Sequence, residues 1–588
     1  MHKTLFADYR IEYSELFEQF RMWTTQNDNL YYWFTPLSRI DSSDGPDITH
    51  SFPQVEIDKK SDGRVCAQLG FDSSIWEEKT AHFIFSPEGI EHYVQVKGQA
   101  QLGRLYYFMG LLDNIVRGSV PGFDHFSSAC PNFLGRQDFG PNEYFSNNVT
   151  NEDTHWGLAL NSAPLFYTFH KKGTDHCIWV GLVAEKGQNH FDSFDFNYKP
   201  EEVENTHDNI VNTQSFSLDY AHHLTVDGLW ESPHLHIGCA ANAEIALRQY
   251  CELLERKGAI STSEQKNYSW WSKPIFCGWH EQGVVAQRQQ DITEASMLEL
   301  EGADAMADAC TQKNYQRWLE IIHDQNLPIG TIIIDSKWQK EFGAFEVDEN
   351  KWPDLQGFIE GCHRRGQRVI LWIKAWDMEG LTSDECIQRN GHPISPDPTS
   401  PAYRERLKQG IHFMLSQDGL NGDGLKVDGT NCIPIGSDIN TYGNIYGYEL
   451  QYEYFKIVYE TSKCAKNDAV VSLFSANPYY RDVCDMVRLG DLYSLYGRPI
   501  DTLNQRTEVV KIAMAGKPLD TDGNFRFSLA NDFVQELEEQ AKLGIPAIYQ
   551  AEYVFQHRTF NKPVCRKLTL RDYSRIRQIL LAYTESLD

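Results

Sequence analysis

Asp428 closes the run Asp423-Gly-Leu-Lys-Val-Asp-Gly429, which reads as a short buried strand ending in a carboxylate. Side chains alternate along a strand, so Gly424, Lys426 and Asp428 share one face while Leu425 and Val427 share the other. A lysine one pleat from an aspartate favours the ionised form, and an ionised carboxylate at a strand end is a candidate nucleophile. An isolated Asp-Gly would serve as readily to cap a turn; the weight comes from the other polar residues that follow apolar runs. These are Trp279, His280 and Glu281, then Asp335 and Trp338, then Trp372, Lys374, Trp376 and Asp377, and finally Arg488 and Asp491. They are carboxylates, cations and indoles, with neither a Ser-His pair nor a cluster of metal ligands. Two carboxyl groups in opposite environments, with indoles to lie against sugar rings, are what glycoside hydrolysis requires. One must be charged to attack the anomeric carbon and the other protonated to assist the leaving oxygen. Asp428, beside Lys426, is assigned as nucleophile. Asp491, among the apolar neighbours of Leu489-Gly-Asp-Leu492, is assigned as acid/base. A retaining mechanism would set the two carboxyl groups roughly 5 to 5.5 Å apart.

Such residues need a scaffold that brings strand ends together. Up to about residue 240 the chain offers short apolar segments separated by Gly, Pro, Asn and Asp. Strands are expected over 64–70, 80–85, 92–98, 163–170, 177–183, 191–198, 215–224 and 234–239, with a helix over 102–116. This spacing implies an N-terminal antiparallel β-sandwich. A helical period follows over about 241–257, where Ile245, Leu247, Tyr250, Leu253 and Leu254 recur at three- and four-residue steps and Gly258 ends the pattern. The expected division is 1–258 for the sandwich with its linker helix and 259–588 for a second domain. There, strands expected at 275–279, 331–335, 368–374, 423–429, 469–475, 486–491, 517–521 and 545–550 alternate with helical segments. That alternation implies a (β/α)8 TIM barrel, whose working residues lie at the carboxyl ends of its strands. A doubly wound open sheet is the alternative, but no Gly-x-Gly-x-x-Gly turn follows any strand.

The chain has 588 residues and a formal net charge of −28, which disfavours nucleic acid and anionic membrane as partners. No apolar run is long enough to span a bilayer, and the first residues lack the layout of a secretory signal. Thirteen scattered cysteines without paired spacing fit a reducing compartment, so a cytoplasmic protein is expected. His222, His223, His234 and His236 are read as ordinary strand histidines, and the aromatic run 31–34 as sandwich core. Asp520-Thr-Asp-Gly-Asn524 opens like a calcium loop, but its twelfth position is Asn531 instead of a bidentate Glu. Neither metal nor organic cofactor is expected.

The segment from Ile334 to Leu355, with Asp335, Trp338-Gln339, Gly343, Phe345, Asp348 and Trp352-Pro353, resembles the second-strand signature of the retaining α-glycosidases of glycoside hydrolase families 31 and 36. Val369 to Ile373 is similar to their third strand. Lys426-Val-Asp428 matches their Lys-x-Asp nucleophile, and Gly490-Asp491 their sixth-strand acid/base. The resemblance implies a retaining exo-α-glycosidase acting on a terminal α-linked hexose, an α-galactoside or α-glucoside, with an oligosaccharide or glycoside as substrate. It implies sugar contacts from Asp335, Lys426, Trp279, Trp338, Trp372, Lys374 and Arg488. Departures are Asp335-Ser336 in place of the paired aspartates of family 36, and only Arg481 and Arg488 as candidates for a family 31 arginine near the fifth strand. Thr521-Asp-Gly523 stands where the Asp-Ile-Gly-Gly turn of family 31 lies. Lys374 either binds an anionic sugar substituent or pairs with Asp377. A C-terminal β-domain is missing from the pattern, so loops or another subunit would complete the subsites, and a homo-oligomer is an expectation. Transglycosylation, a carbohydrate-binding barrel without turnover and a metal-dependent hydrolase are the rival readings.

Overall fold

The computed structural model describes residues 3–587 except 28, 54, 124, 129–136, 139–143, 149–162, 198–213, 263–265, 291–304, 490–498, 523–532 and 557–563. The N-terminal part is an antiparallel β-sandwich. A five-stranded sheet, in the order Thr4–Leu5, Tyr9–Ser14, Gln19–Thr24, Tyr31–Phe34, Val120–Pro121, lies against a larger sheet built on two long strands, Gly89–Tyr107 and Ser215–Glu231. Alternation drives the packing: Phe20 and Phe34 from the small sheet meet Phe83 of the large one, with ring centroids 4.9 and 6.0 Å away. Tyr32 and Phe34 are buried in the core, while Tyr31 and Trp33, on the opposite face of the strand, are half-buried, so the aromatic run is core on one side only.

The helix expected over 102–116 does not form. Leu102 to Tyr107 continues the strand Gly89–Tyr107, and a tight hairpin of Gly110–Leu112 and Ile115–Arg117 follows. The pairing register with Ser215–Glu231 shifts between Leu102 and Arg104, and the bulge there breaks the two-residue alternation. Buried Leu102, Leu105, Tyr106 and Met109 are thereby left at helix-like spacing. Asp113 and Asn114, with φ of 49° and 65°, supply the left-handed pair that a two-residue hairpin loop demands.

Helix Ala243–Arg256 begins at Asn242, whose side chain accepts from Ile245 N. Its apolar face, Leu247, Tyr250, Leu253 and Leu254, packs on Phe166 and Trp179 of the sandwich and on Ile512 of the barrel, so it joins the two parts.

Eight parallel strands then form the barrel: Ile275–Cys277, Thr331–Ile334, Arg368–Lys374, Gly424–Asp428, Val470–Leu473, Met486–Arg488, Leu519–Asp520 and Ala547–Ile548. The eighth pairs with the first, and Ile545 meets the seventh through Ile545 N to Leu519 O at 2.7 Å and Thr521 N to Ile545 O at 3.1 Å. The first strand ends at Cys277, and Trp279, His280 and Glu281 open the helix Trp279–Gln290. A helix over Phe533–Leu543 precedes the eighth strand and was not expected from the sequence.

Strand alternation divides the barrel residues into two layers. Phe276, Ile332, Ile334, Val369, Leu371, Leu425, Val427, Val471, Leu473 and Val487 join the layer beneath the helices. Ile275, Cys277, Ile333, Ile370, Val470, Met486, Ala547 and Tyr549 form a separate cluster within the barrel. Moving two residues toward the carboxyl end from this inner set leads from Ile333 to Asp335, from Ile370 to Trp372, and from Met486 to Arg488. The interior is therefore apolar below and polar at the mouth.

Candidate active site

Asp428 stands at the end of strand four with a third of its side chain exposed, while the groups that hold it are buried. Its Oδ1 accepts from Arg488 Nη2 at 2.6 Å and its Oδ2 from the Trp372 indole Nε1 at 3.0 Å. Burial works to raise its pKa, but the charges of Arg488 and Lys426, with the indole hydrogen bond, hold it below the ordinary carboxylate range. It is a carboxylate at neutral pH, reachable from the mouth and fixed at both oxygens.

Lys426, one pleat below, turns to Asp335 at 2.5 Å and also lies 3.9 Å from Cys277 Sγ. Burial opposes its charge, and Asp335 more than restores it, so the ammonium persists above its ordinary range. Asp335 is placed by Tyr315, whose hydroxyl oxygen accepts from Asp335 N at 2.9 Å, and its Oδ2 also accepts from the Cys277 thiol at 3.1 Å. The next residue, Ser336, has a φ of 66°, so the chain turns sharply behind the carboxylate.

Arg488 is the organising cation of the mouth. Besides Asp428 it binds Asp522 Oδ2 through Nη1 at 2.7 Å, and the Tyr549 hydroxyl donates to Asp522 Oδ1. Asp522 N donates to Asp520 Oδ1 at 2.9 Å. Burial, followed by the charge of Asp522, pushes the Asp520 carboxyl upward. Arg481, the other arginine candidate, lies elsewhere: it pairs with Glu255 of the joining helix at 2.5 Å and with the carbonyls of Ala513 and Ile512.

Of the residues read as sugar contacts, Asp335, Lys426, Trp372 and Arg488 come together around Asp428. Trp338 is fully buried and donates its indole N–H to the Trp372 carbonyl at 2.8 Å, so it supports the site from behind. Trp279 is half-buried and packs on the interior cluster. Lys374 lies directly across from Asp428 in the pairing of strands three and four, but its ammonium goes to Asp377 at 2.6 Å and lies 4.7 Å from the Phe342 ring. Asp491 lies outside the described residues. Glu281 accepts from the N–H groups of Ala551, Glu552 and Tyr553 at 2.8, 2.6 and 2.9 Å, tying the first helix to the chain beyond strand eight.

Asp522, Asp520 and Tyr549 were not read as site residues. Their signal is a two-residue spacing: Ala547 and Tyr549 lie two apart at the end of strand eight, and Asp520 and Asp522 two apart at the end of strand seven, within the run that opens like a calcium loop. Among the described residues no group of three or more His, Cys, Asp or Glu side chains is arranged to hold a metal ion. The four strand histidines have other partners: His234 binds Glu91 and Glu231, His236 the Glu88 carbonyl and His223 the Gly436 carbonyl, and His222 packs against Gly103. A cavity of about 300 Å³ between the sandwich and the barrel is lined by residues such as Asn189, Tyr452 and Asn477, none of them in the Asp428 cluster.

Residues 304–462, which include strands two to four and Asp428, match the TIM-barrel domain of glycosyl hydrolases family 31. An α-xylosidase of Emericella nidulans is 26% identical over 86 residues, 14% of this chain and 11% of that protein. A family 31 sulfoquinovosidase from E. rectale, solved with an aza-sugar inhibitor, superposes with a TM-score of 0.56 at 11% identity, covering 99% of this chain and 83% of that one. A cycloalternan-degrading enzyme from Trueperella pyogenes, solved with a covalent intermediate, gives 0.51 at 11% identity, covering 97% and 83%. The last two likenesses are of fold. The likeness to family 31 glycoside hydrolases thus lies in part of the barrel, residues 304–462, with a β-sandwich ahead of it.

Proposed function

We propose that the chain is a retaining exo-α-glycosidase that releases a terminal α-linked hexose, an α-glucoside or α-galactoside, by double displacement. The observation that carries this reading is Asp428: ionised, partly exposed, and held at both oxygens by Arg488 and Trp372 at the barrel mouth. Attack by Asp428 on the anomeric carbon forms a glycosyl ester, with Asp491 giving its proton to the leaving oxygen. Water, deprotonated by Asp491, then opens the ester, and two inversions leave the anomeric configuration unchanged. Asp335 and Lys426 hold sugar hydroxyls beside the reacting carbon. The fixed donors on Asp428 supply preorganisation, since they are in place before charge moves. The covalent intermediate described for the Trueperella pyogenes enzyme supports the same sequence of steps. The free cysteines of the described residues, most of them buried, support residence in a reducing compartment, which we propose is the cytoplasm.

A panel of aryl α-glycosides tests the reading. The wild type should hydrolyse at least one, the first-formed sugar should be the α-anomer by proton NMR, and a 5-fluoro glycosyl fluoride should label Asp428. Turnover undiminished in Asp428→Ala, or a β-anomer formed first, would sink it.

A further inference from the structure

Two charged groups at the barrel mouth are joined by one side chain that no step above uses. Tyr549 is 1% exposed at the end of strand eight. Its hydroxyl donates to Asp522 Oδ1 and lies 3.5 Å from Lys426 Nζ. On one side of it stands the Asp335–Lys426 pair, and on the other the run from Asp522 through Arg488 to Asp428. Asp522 keeps a φ of 48°, a left-handed backbone that an aspartate holds only where its surroundings fix it. What fixes it here is its own N–H on Asp520, its carboxylate on Arg488 and the Tyr549 hydroxyl.

We infer that Tyr549 is a positioning residue: by holding Asp522, it sets how the Arg488 guanidinium is shared between Asp522 and Asp428. Arg488 offers one nitrogen to each carboxylate, at 2.7 and 2.6 Å, so neither has the full cation. The nucleophile is thereby kept ionised without being bound so tightly that it loses its reactivity. When Asp428 becomes a neutral ester its attraction for Arg488 weakens, and Asp522, anchored by Tyr549, keeps the guanidinium in place for the second step. This inference rests on Asp428 being the nucleophile.

The groups that face Asp428 are Arg488 from strand six, Lys426 from its own strand, and Trp372 and Lys374 from strand three. Lys374 is engaged by Asp377, and Lys426 by Asp335. Behind them stand Cys277, Asp520, Asp522 and Tyr549. Removing the Asp522 charge removes both a repulsion and a competitor for Arg488, so the Asp428 carboxyl should titrate lower. Removing only the Tyr549 hydroxyl leaves Asp522 charged with one donor fewer. It should then draw more strongly on Arg488, and Asp428 should titrate higher.

The experiment uses the full chain labelled with [γ-13C]aspartate, and the Asp428 carboxyl resonance is identified by difference against Asp428→Asn. The expected result is a titration midpoint displaced by about one pH unit downward in Asp522→Asn and upward in Tyr549→Phe. Circular dichroism melts check that each variant is folded. Should Asp522→Asn fail to fold, Tyr549→Phe alone decides. An unmoved or downward-shifted midpoint in a folded Tyr549→Phe protein overturns the inference, as do shifts of the same sign in both variants. The measurement needs no turnover, so a wild type that hydrolyses no α-glycoside would defeat the functional reading and leave this result to be judged on its own.

Discussion

Lys374 and Asp428 face each other directly across strands three and four, yet the lysine turns away to Asp377 and the Asp428 carboxylate is held by Arg488 from strand six. The cation in contact with Asp428 is thus neither its neighbour across the sheet nor the lysine on its own strand, although the charge of that lysine, Lys426, also helps to keep Asp428 ionised. Asp428 nonetheless keeps a third of its side chain exposed among the described residues.

Replacing Arg488 by leucine should be the most damaging single change to the charge state of the site. Asp522 would be left buried beside Asp520 without its cation, and breaking a buried pair from one side costs about 3–5 kcal/mol. Asp428 loses the charge that chiefly holds its pKa down, so the acid limb of kcat/KM should move to higher pH. Arg488→Lys should keep part of the charge and lose the two-pronged geometry, giving an intermediate limb. A pH–rate series on the two variants checks both, and an unmoved limb in Arg488→Leu would remove Arg488 from the account.

Trp372 contributes one N–H to Asp428 Oδ2, and in the proposed reaction its ring would also lie against the sugar. Trp372→Phe keeps most of the face and deletes the donor. A hydrogen bond to a charged group is worth about 1.5–3 kcal/mol, so kcat/KM should fall by roughly 10- to 150-fold. Loss confined to KM would mean that the ring, and not the N–H, is the important part.

How much of this was legible in the sequence follows from the layering of the barrel. The eight strands announced themselves because their outward positions are β-branched and aliphatic, and residues such as Ile332, Ile334, Leu425 and Val427 must be so to meet the helices. Asp335 and Asp428 were readable because each ends an apolar run, and Lys426 because alternation puts it on the same face as Asp428. Arg488 was visible as a polar residue after such a run, but its bond to Asp428, two strands away, depends on how eight strands close around an axis, which no local pattern encodes. Asp522 and Tyr549 lie just past strands that pair over only two residues each, Leu519–Asp520 and Ala547–Ile548, so the two-residue spacing of Asp520 with Asp522 and of Ala547 with Tyr549 is all the signal they give. In the sandwich, the bulge near Leu102 imposed a helical spacing on a strand, so periodicity misled there for a definite geometric reason.

Glu281 gives a prediction about stability and pH. Burial pushes its carboxyl up to about 7 from an ordinary 4.5, against three backbone amides that favour the charged form. The folded state therefore holds this proton more tightly than the unfolded chain does. Between pH 4.5 and 7 the native protein binds more protons, so stability falls as pH rises through that window and is level above it. The loss reaches about 3 kcal/mol for this group. Glu281→Gln should remove that slope, narrowing the difference in unfolding free energy between pH 5 and 8, as denaturant titrations at the two pH values will show. An unchanged difference would mean that Glu281 is ionised in the folded protein throughout.

The loop that leaves strand four is held at its far end by the sandwich. Gly436 gives its N–H to Asp192 Oδ2 at 3.1 Å, and its carbonyl accepts from His223 Nε2 at 2.8 Å, so both polar groups of one peptide position are taken by the N-terminal part. His223 also lies flat on Tyr446, 3.6 Å between centroids and 3° between planes. Nearer Asp428, the Thr430 carbonyl accepts from Trp376 Nε1 at 3.0 Å and Gln451 Nε2 at 2.7 Å, both barrel residues. The two ends of this loop thus answer to different parts of the molecule. Changing Asp192 and His223 together to alanine should release the far end only. Amide exchange should quicken over 431–440 and stay slow over Gly424–Asp428, while kcat/KM falls by roughly 5- to 30-fold, equivalent to about 1–2 kcal/mol of lost positioning. Burial pushes the Asp192 carboxyl up to about 7, so its grip on the Gly436 amide strengthens as the pH rises through neutrality. Exchange over 431–440 in the unaltered protein, corrected for the intrinsic rise of amide exchange with pH, should therefore be better protected at pH 8 than at pH 6. The reverse order would show that the sandwich does not hold this loop through Asp192.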